Sequence, residues 1–238
     1  GGYYQLANDE RKYRDWKKEG HGQMNMKSAI TQSCDVYFYD LSYRMGIDKM
    51  SALMEKFGFG KRTGIDSVGE RPGLLPSRAW KRQAQGMPWF PGETLITGIG
   101  QGALLVTPLQ LASSIGALSL KGLRYQPHLM LSQQNSLNNE IIVTEKTVSG
   151  QYSMLKPDNW NHIHKSMINV VHGLRGTAHR LSKDIQYKVA GKTGTAQVFG
   201  IEQDAEYEEE NVIQRLRDHA LFVSYAPAEK PEIAVAVI

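Results

Sequence analysis

The spacing of apolar and polar positions changes period along this chain. Residues 35–45, DVYFYDLSYRM, mix the two at helical spacing and stop before Gly46, a natural C-cap. Asp48 is placed to cap a second helix, KMSALMEKF, which closes at Gly58. Thr107, Pro108 and the following LQLASSIGALSL mark a third start, with threonine as N-cap and proline in the first turn. Pro157 opens a longer helix through Val171. Its Trp160, Ile163, Met167, Val170 and Leu174 recur at helical spacing and predict a core-facing stripe. From Tyr187 the pattern turns to strand: YKVAGKTGTAQV, then HALFVSYAP, then PEIAVAVI, the last two joined as a hairpin through APAEKP. Residues 1–27 read as irregular, 59–102 as loop around Pro72, Pro76, Pro88 and Pro91, and 122–150 as turns with short extended pieces. The acidic stretch 201–211 reads as a solvated loop. Helices first, then consecutive antiparallel strands, predict an α+β fold with a sheet packed on a helical layer.

Composition narrows the function classes. The chain has 238 residues, 41% hydrophobic and 22% charged, which suffices for one substantial core and excludes a disordered chain. The net charge of +4 is spread along the sequence, with none of the clustering a nucleic-acid footprint requires. No run of about 18 apolar residues is present to span a membrane. The opening GGYYQLANDE lacks a charged-then-apolar leader. Cys34 is the single cysteine, so no internal disulfide forms.

One strand breaks the rules for strands. KVAGKTGTAQV, residues 188–198, sets a lysine between glycines where bulky side chains belong. Lys192, Gly194 and Ala196 share one face, and Thr193 and Thr195 the other. If Lys192 faces a cleft, Gly194 leaves the neighbouring space open for a ligand lying along the strand. The plainer alternative is a glycine bulge beside a solvated lysine.

A lysine on an open strand edge resembles the serine acyl-transferases that combine Ser-x-x-Lys, Ser-x-Asn and Lys-Thr-Gly. Three triplets of the second kind occur: Ser33-Cys34-Asp35, Ser136-Leu137-Asn138 and Ser182-Lys183-Asp184. The first lies between two helical segments, where a short connection can aim side chains into a cleft, and is the favoured one. The only Ser-x-x-Lys, Ser153 to Lys156, is followed at once by Pro157, which disfavours a helix continuing through Lys156, and it falls after the favoured triplet. It reads as a decoy.

The stretches RKYRDWKKEGHG, SCDVYFYDLSYRMGID, KFGFGKRTGID, GIGQGALLVTPLQLA, GTAH, GKTGTAQVFG and RLRDHALFVSYAP run in order from residue 11. Together they resemble the transpeptidase domain of the penicillin-binding protein 2 family, the class B D,D-transpeptidases of Gram-negative cell elongation. The resemblance implies the penicillin-binding/serine β-lactamase-like fold over residues 1–238, with 1–186 a mainly helical and loop part and 187–238 the sheet part. It also implies that the N-terminal strands, the Ser-x-x-Lys helix and a C-terminal helix lie outside this chain. The implied activity is cross-linking of peptidoglycan stem peptides through a serine acyl-enzyme, inhibited by β-lactams. The implied setting is the periplasmic face of the inner membrane, anchored by an N-terminal helix, among the membrane proteins of the elongation complex. An inactive penicillin-recognising or scaffolding module is the alternative.

By the same resemblance, Lys192 and Ser33 shuttle protons at the leaving group, and Thr193 and Thr195 bind the terminal carboxylate of the substrate. Gly194 keeps the strand edge open, and the Thr195 N–H supplies half of an oxyanion hole. Asp35 replaces the commoner asparagine; ionised, it accepts from substrate or pairs with a lysine. No cofactor is implied for the chemistry. Asp15, His21 and Cys34 are all zinc-type ligands, though a lone cysteine is ordinarily a small buried hydrophobe and a structural site needs four ligands. In some Gram-negative members an Asp, Asp, His, Cys set binds zinc beneath the Ser-x-Asn loop. That implies a structural zinc here, with the fourth ligand an aspartate before Gly1.

Overall fold

Turn chemistry and tertiary packing divide the work of specifying the elements. The computed structural model describes residues 1–154, 156–197 and 218–238. Strands β1 (Tyr3–Gln5) and β2 (Lys12–Arg14) pair antiparallel. Helices α1 (Met26–Gln32), α2 (Asp35–Met45) and α3 (Ile47–Lys56) follow, then α4 (Arg78–Gln85), α5 (Pro91–Gly98) and α6 (Pro108–Ser119). Four short strands, β3 (Leu123–Tyr125), β4 (Ser132–Gln134), β5 (Ile141–Val143) and β6 (Val148–Gln151), form two small ribbons, β3 with β6 and β4 with β5. After α7 (Asp158–His172) and a 3₁₀ turn (His179–Asp184) comes an antiparallel sheet. Its strands are β7 (Ala190–Ala196), β8 (His219–Ala226) and β9 (Ile233–Val237), in the order β7-β8-β9.

The architecture is α+β, as expected. Helices α6 and α7 pack on the sheet, with Ile115 and Met167 meeting Ala190, Tyr225 and Ala228 in one buried cluster. A second cluster joins Val170 and Val171 to Ala178 and Val189. Ile30 of α1 packs against both, so α1 is held at the junction of helix layer and sheet. Helix α6 starts as expected: the Thr107 side chain accepts the Gln110 N–H, with Pro108 at the first position.

Several expectations change. Residues 1–27 are not wholly irregular. Tyr4 and Tyr13 of β1 and β2 pack on Tyr39 of α2 and Leu95 of α5, and this apolar contact orders strands too short to show a period. Residues 59–102 contain α4, capped by Ser77, and α5, whose first residue is Pro91. Gly46, at φ +76°, ends α2 and begins α3. Asp48 is therefore not the cap; it lies in the first turn of α3 and pairs with Arg78 at 3.0 Å. Leu174 falls past the end of α7 and is 89% exposed, so the stripe stops at Val170 and Val171. The expected acidic loop, 201–211, lies outside the described residues.

Candidate functional site

β7 runs from the core out to the protein surface. Ala190 and Gly191 are buried, Lys192 and Thr193 partly so, and Gly194 and Thr195 exposed. The two glycines differ in purpose. A Cβ on Gly191 would stand 2.6 Å from Cζ of Phe222, so packing itself requires glycine there. A Cβ on Gly194 would meet only Leu221, at 3.4 Å, an ordinary contact. Among the described residues, nothing forbids a side chain at 194.

Ser33 reaches this strand from α1. It is the C-cap, in the left-handed region at φ 53° and ψ 55°, which is rare for a residue with a Cβ and aims its side chain away from the helix. The Thr31 hydroxyl holds the preceding turn to the Lys27 carbonyl, and the Thr31 carbonyl accepts from the Thr177 N–H. Trp16 secures the Ser33 backbone: its indole N–H donates to the Ser33 carbonyl at 2.8 Å.

Lys192 Nζ donates to Ser33 Oγ at 2.8 Å and to the Thr193 carbonyl at 2.8 Å. Burial lowers the Lys192 pKa to about 8, although Asp35 opposes the shift. Asp35 opens α2 and accepts the Trp16 backbone N–H at 3.0 Å. Burial raises its pKa to about 6, and Asp15 adds to the rise against the pull of the Trp16 N–H and Lys192. An ammonium donating to a serine oxygen leaves that hydroxyl's proton free to be donated to another group. The pair can pass a proton from Nζ through Oγ to a bound group.

On the opposite strand face, Thr193 Oγ1 lies 2.7 Å from Thr177 Oγ1. Thr195 is one residue past Gly194. Its carbonyl is taken by the Gln101 side-chain amide, from the side of β7 away from β8. The Thr195 N–H shares that direction, as N–H and C=O of one residue do in an antiparallel strand.

The other candidate triplets lie elsewhere. Ser136 and Asn138 sit in the exposed β4–β5 connection, and Ser182 and Asp184 on the 3₁₀ turn. Ser153 is exposed and precedes α7, outside any helix. Of the three triplets, only Ser33-Cys34-Asp35 is brought to Lys192. Thr177, Gln101 and Trp16 were not singled out from the sequence, although each lies inside a stretch that carried the resemblance.

Beneath Ser33, ligand atoms of Asp15, His21 and Cys34 all lie within 4.8 Å of one another. Cys34 Sγ donates to Asp15 Oδ2 at 3.3 Å, and His21 Nδ1 is 3.3 Å from the same carboxylate. Burial pushes the Cys34 thiol up to about 11. His21 Nε2 is buried without a hydrogen-bond partner. An orphaned imidazole nitrogen beside a buried thiol and carboxylate fits a divalent cation of zinc type, which would displace the thiol's proton to solvent and accept the nitrogen's lone pair.

Residues 2–238 match the family described as the penicillin binding protein transpeptidase domain. The chain is 42% identical over its whole length to the peptidoglycan D,D-transpeptidase MrdA of Acinetobacter baumannii, covering 34% of that protein. It is 38% identical to MrdA of Escherichia coli K12, covering 100% of this chain and 37% of that one. Thus it spans about a third of the length of the curated relatives it matches. Among solved structures, Pseudomonas aeruginosa PBP2 in complex with WCK 5153 is 43% identical with TM-score 0.82, over 99% of this chain and 48% of that one. PBP2 of Helicobacter pylori, in its complex with MreC, is 31% identical with TM-score 0.81, over 99% and 39%.

Proposed function

The chain belongs to the penicillin-binding protein transpeptidase family, and from that membership we propose that it forms the Ser-x-Asp and Lys-Thr-Gly side of a peptidoglycan D,D-transpeptidase site. The observation that carries the reading is the 2.8 Å contact between Lys192 and Ser33, residues 159 apart in sequence, at the open edge of β7. In this reading the attacking serine belongs to a Ser-x-x-Lys segment outside these 238 residues. Giving its hydroxyl proton to the lysine of that segment, it attacks the D-Ala-D-Ala carbonyl of a stem peptide, or a β-lactam carbonyl, and the Thr195 N–H stabilises the developing oxyanion. As the C–N bond breaks, the leaving nitrogen takes the Ser33 hydroxyl proton, and the Lys192 ammonium replaces it. Thr193, oriented by Thr177, and Thr195 hold the substrate's terminal carboxylate. Asp35 sits behind Lys192 and favours its charged form.

Asp15, His21 and Cys34 would hold a structural zinc that ties the Ser33 turn to the loop carrying His21. The zinc supplies cross-linking of the two loops and takes no part in the acyl transfer. Because peptidoglycan lies outside the cytoplasmic membrane, the protein works at the periplasmic face. No helix among the described residues is long and apolar enough to cross a membrane. Elongation-complex membrane proteins are the expected partners, by analogy with the Helicobacter pylori PBP2–MreC complex.

Labelling with a fluorescent penicillin tests the reading. A protein that joins this chain to an upstream Ser-x-x-Lys, roughly 50 to 60 residues before Ser33, is labelled; the 238-residue chain alone is not. A covalent adduct on Ser153, located by mass spectrometry, would overturn both the decoy assignment and the placement of the nucleophile. No labelling of the longer protein would leave the scaffolding reading.

A further inference from the structure

Among the described residues, the outer edge of β7 beyond Gly194 is held by the Gln101 side chain. Gln101 donates from its amide nitrogen to the Thr195 carbonyl and accepts the Gln197 N–H at 3.0 Å. The two bonds mimic a strand laid against the edge, and only one orientation of the amide satisfies both. Gln101 itself is rigidly carried. It stands between Gly100 (φ +82°) and Gly102 (φ +77°), in a turn whose backbone closes onto Thr97 and Ile96. A Cβ at Gly102 would lie 3.1 Å from Ile96 Cγ2, so the turn is packed on α5. That helix is anchored by Leu95, fully buried in the tyrosine cluster, and by Gly98, whose missing Cβ lets it lie against Ser42 of α2. α2 begins at Asp35. One frame therefore carries the Ser33–Asp35 turn on one side and the clamp on β7 on the other.

A residue clamped at its carbonyl has its N–H direction fixed as well. The Thr195 N–H has β8 on the far side and the clamp on its own side, beside the seat left by Gly194. We propose that Gln101 is a positioning residue, which holds the Thr195 N–H in the geometry that an acyl-transfer oxyanion needs. The inference rests on the proposed function and extends it to a residue that touches no substrate atom.

The assay is pre-steady-state acylation of the longer, serine-bearing protein by a chromogenic cephalosporin, with melting temperature alongside. Gln101→Ala should lower the acylation rate constant about ten- to a hundredfold, the effect of roughly 1 Å of misplacement. The half-saturating concentration and the melting temperature should stay put. In the same variant the Gln197 amide should exchange with solvent about tenfold faster, the loss of one hydrogen bond. Should the alanine variant fail to fold, Gln101→Glu keeps the acceptor towards Gln197, removes the donor towards Thr195, and should show the same loss of rate. An unchanged rate constant overturns the proposal. So does a rise, which would make Gln101 a competitor for the Thr195 carbonyl, and so does a change confined to half-saturation. A wild-type protein that is not acylated at all refutes the proposed function, and this role with it; an acylated wild type with an indifferent variant refutes this role alone.

Discussion

Two glycines three positions apart on β7, Gly191 and Gly194, allow the fold and the ligand to be separated by experiment. In Gly191→Ala the new methyl would lie 2.6 Å from Phe222 Cζ, 2.9 Å from Cε2 and 3.1 Å from the Val223 carbonyl oxygen. Phe222 packs against the Val170, Val171, Ala178 and Val189 cluster, so the ring moves only by disturbing buried neighbours. Overpacking of this kind costs about 1–3 kcal/mol. A chain of this size loses about 2–4 °C of melting temperature per kcal/mol, so a fall of several degrees is expected. In Gly194→Ala the methyl touches only Leu221, at 3.4 and 3.7 Å, and the backbone conformation is an ordinary strand one. Removing glycine's freedom in the unfolded chain then favours the folded state by about 0.4–1 kcal/mol. Its methyl nevertheless projects beside Lys192, into the space the substrate would occupy, and acylation by penicillin should fall by about a hundredfold, as for a roughly 1 Å displacement. Thermal melting of both variants, and acylation of both in the serine-bearing protein, form the assay. A Gly194→Ala protein that melts as low as Gly191→Ala would mean that packing explains both glycines. A Gly194→Ala protein acylated like wild type would remove the ligand's seat from this strand.

Lys192→Ala should abolish acylation with little change in melting temperature, and wild-type acylation should decline above pH about 8, where Lys192 loses the proton that the proposed relay would pass to Ser33; a rate that climbs through pH 9 would contradict the relay. The same group bears on stability. Unfolded, Lys192 keeps its proton to about 10.5, whereas folded it holds it only to about 8. The unfolded state therefore binds more protons in that window, and wild-type stability should rise there relative to Lys192→Met, by up to about 3 kcal/mol at 1.36 kcal/mol per pKa unit. Denaturant unfolding at several pH values reads the difference, in which the opposing titrations of Cys34 and the buried tyrosines cancel; a flat difference refutes the buried-charge assignment. For the metal, the longer protein should purify with about one zinc per chain. Cys34→Ser should lose that zinc and melt lower, and a metal-free preparation whose thiol alkylates freely would dismiss the site.

What was legible in the sequence, and what was not, follows from which atoms carry each interaction. α2 and α6 were readable because their ends are written in residue types: Gly46 after one, Thr107 and Pro108 before the other. α5 was hidden by the same token, since Pro91 signals a first helical turn as well as a loop, and only the burial of Leu95 decides between them. β1 and β2 offer three residues each, too few for a period, and take their order from tyrosines packed on α2. At the site, Ser33 and Lys192 could be paired from motif chemistry because side chain meets side chain, and each type had to be what it is. Gln101 and Trp16 bond to the backbone of Thr195 and Ser33, and a backbone partner leaves no residue-type trace in the sequence. The proposed strand-edge site thus has two kinds of determinant. Those that would handle protons are spelled out as motifs. Those that hold the main chain still become visible only when the fold carries them there, and the test of Gln101 measures how much of the chemistry depends on them.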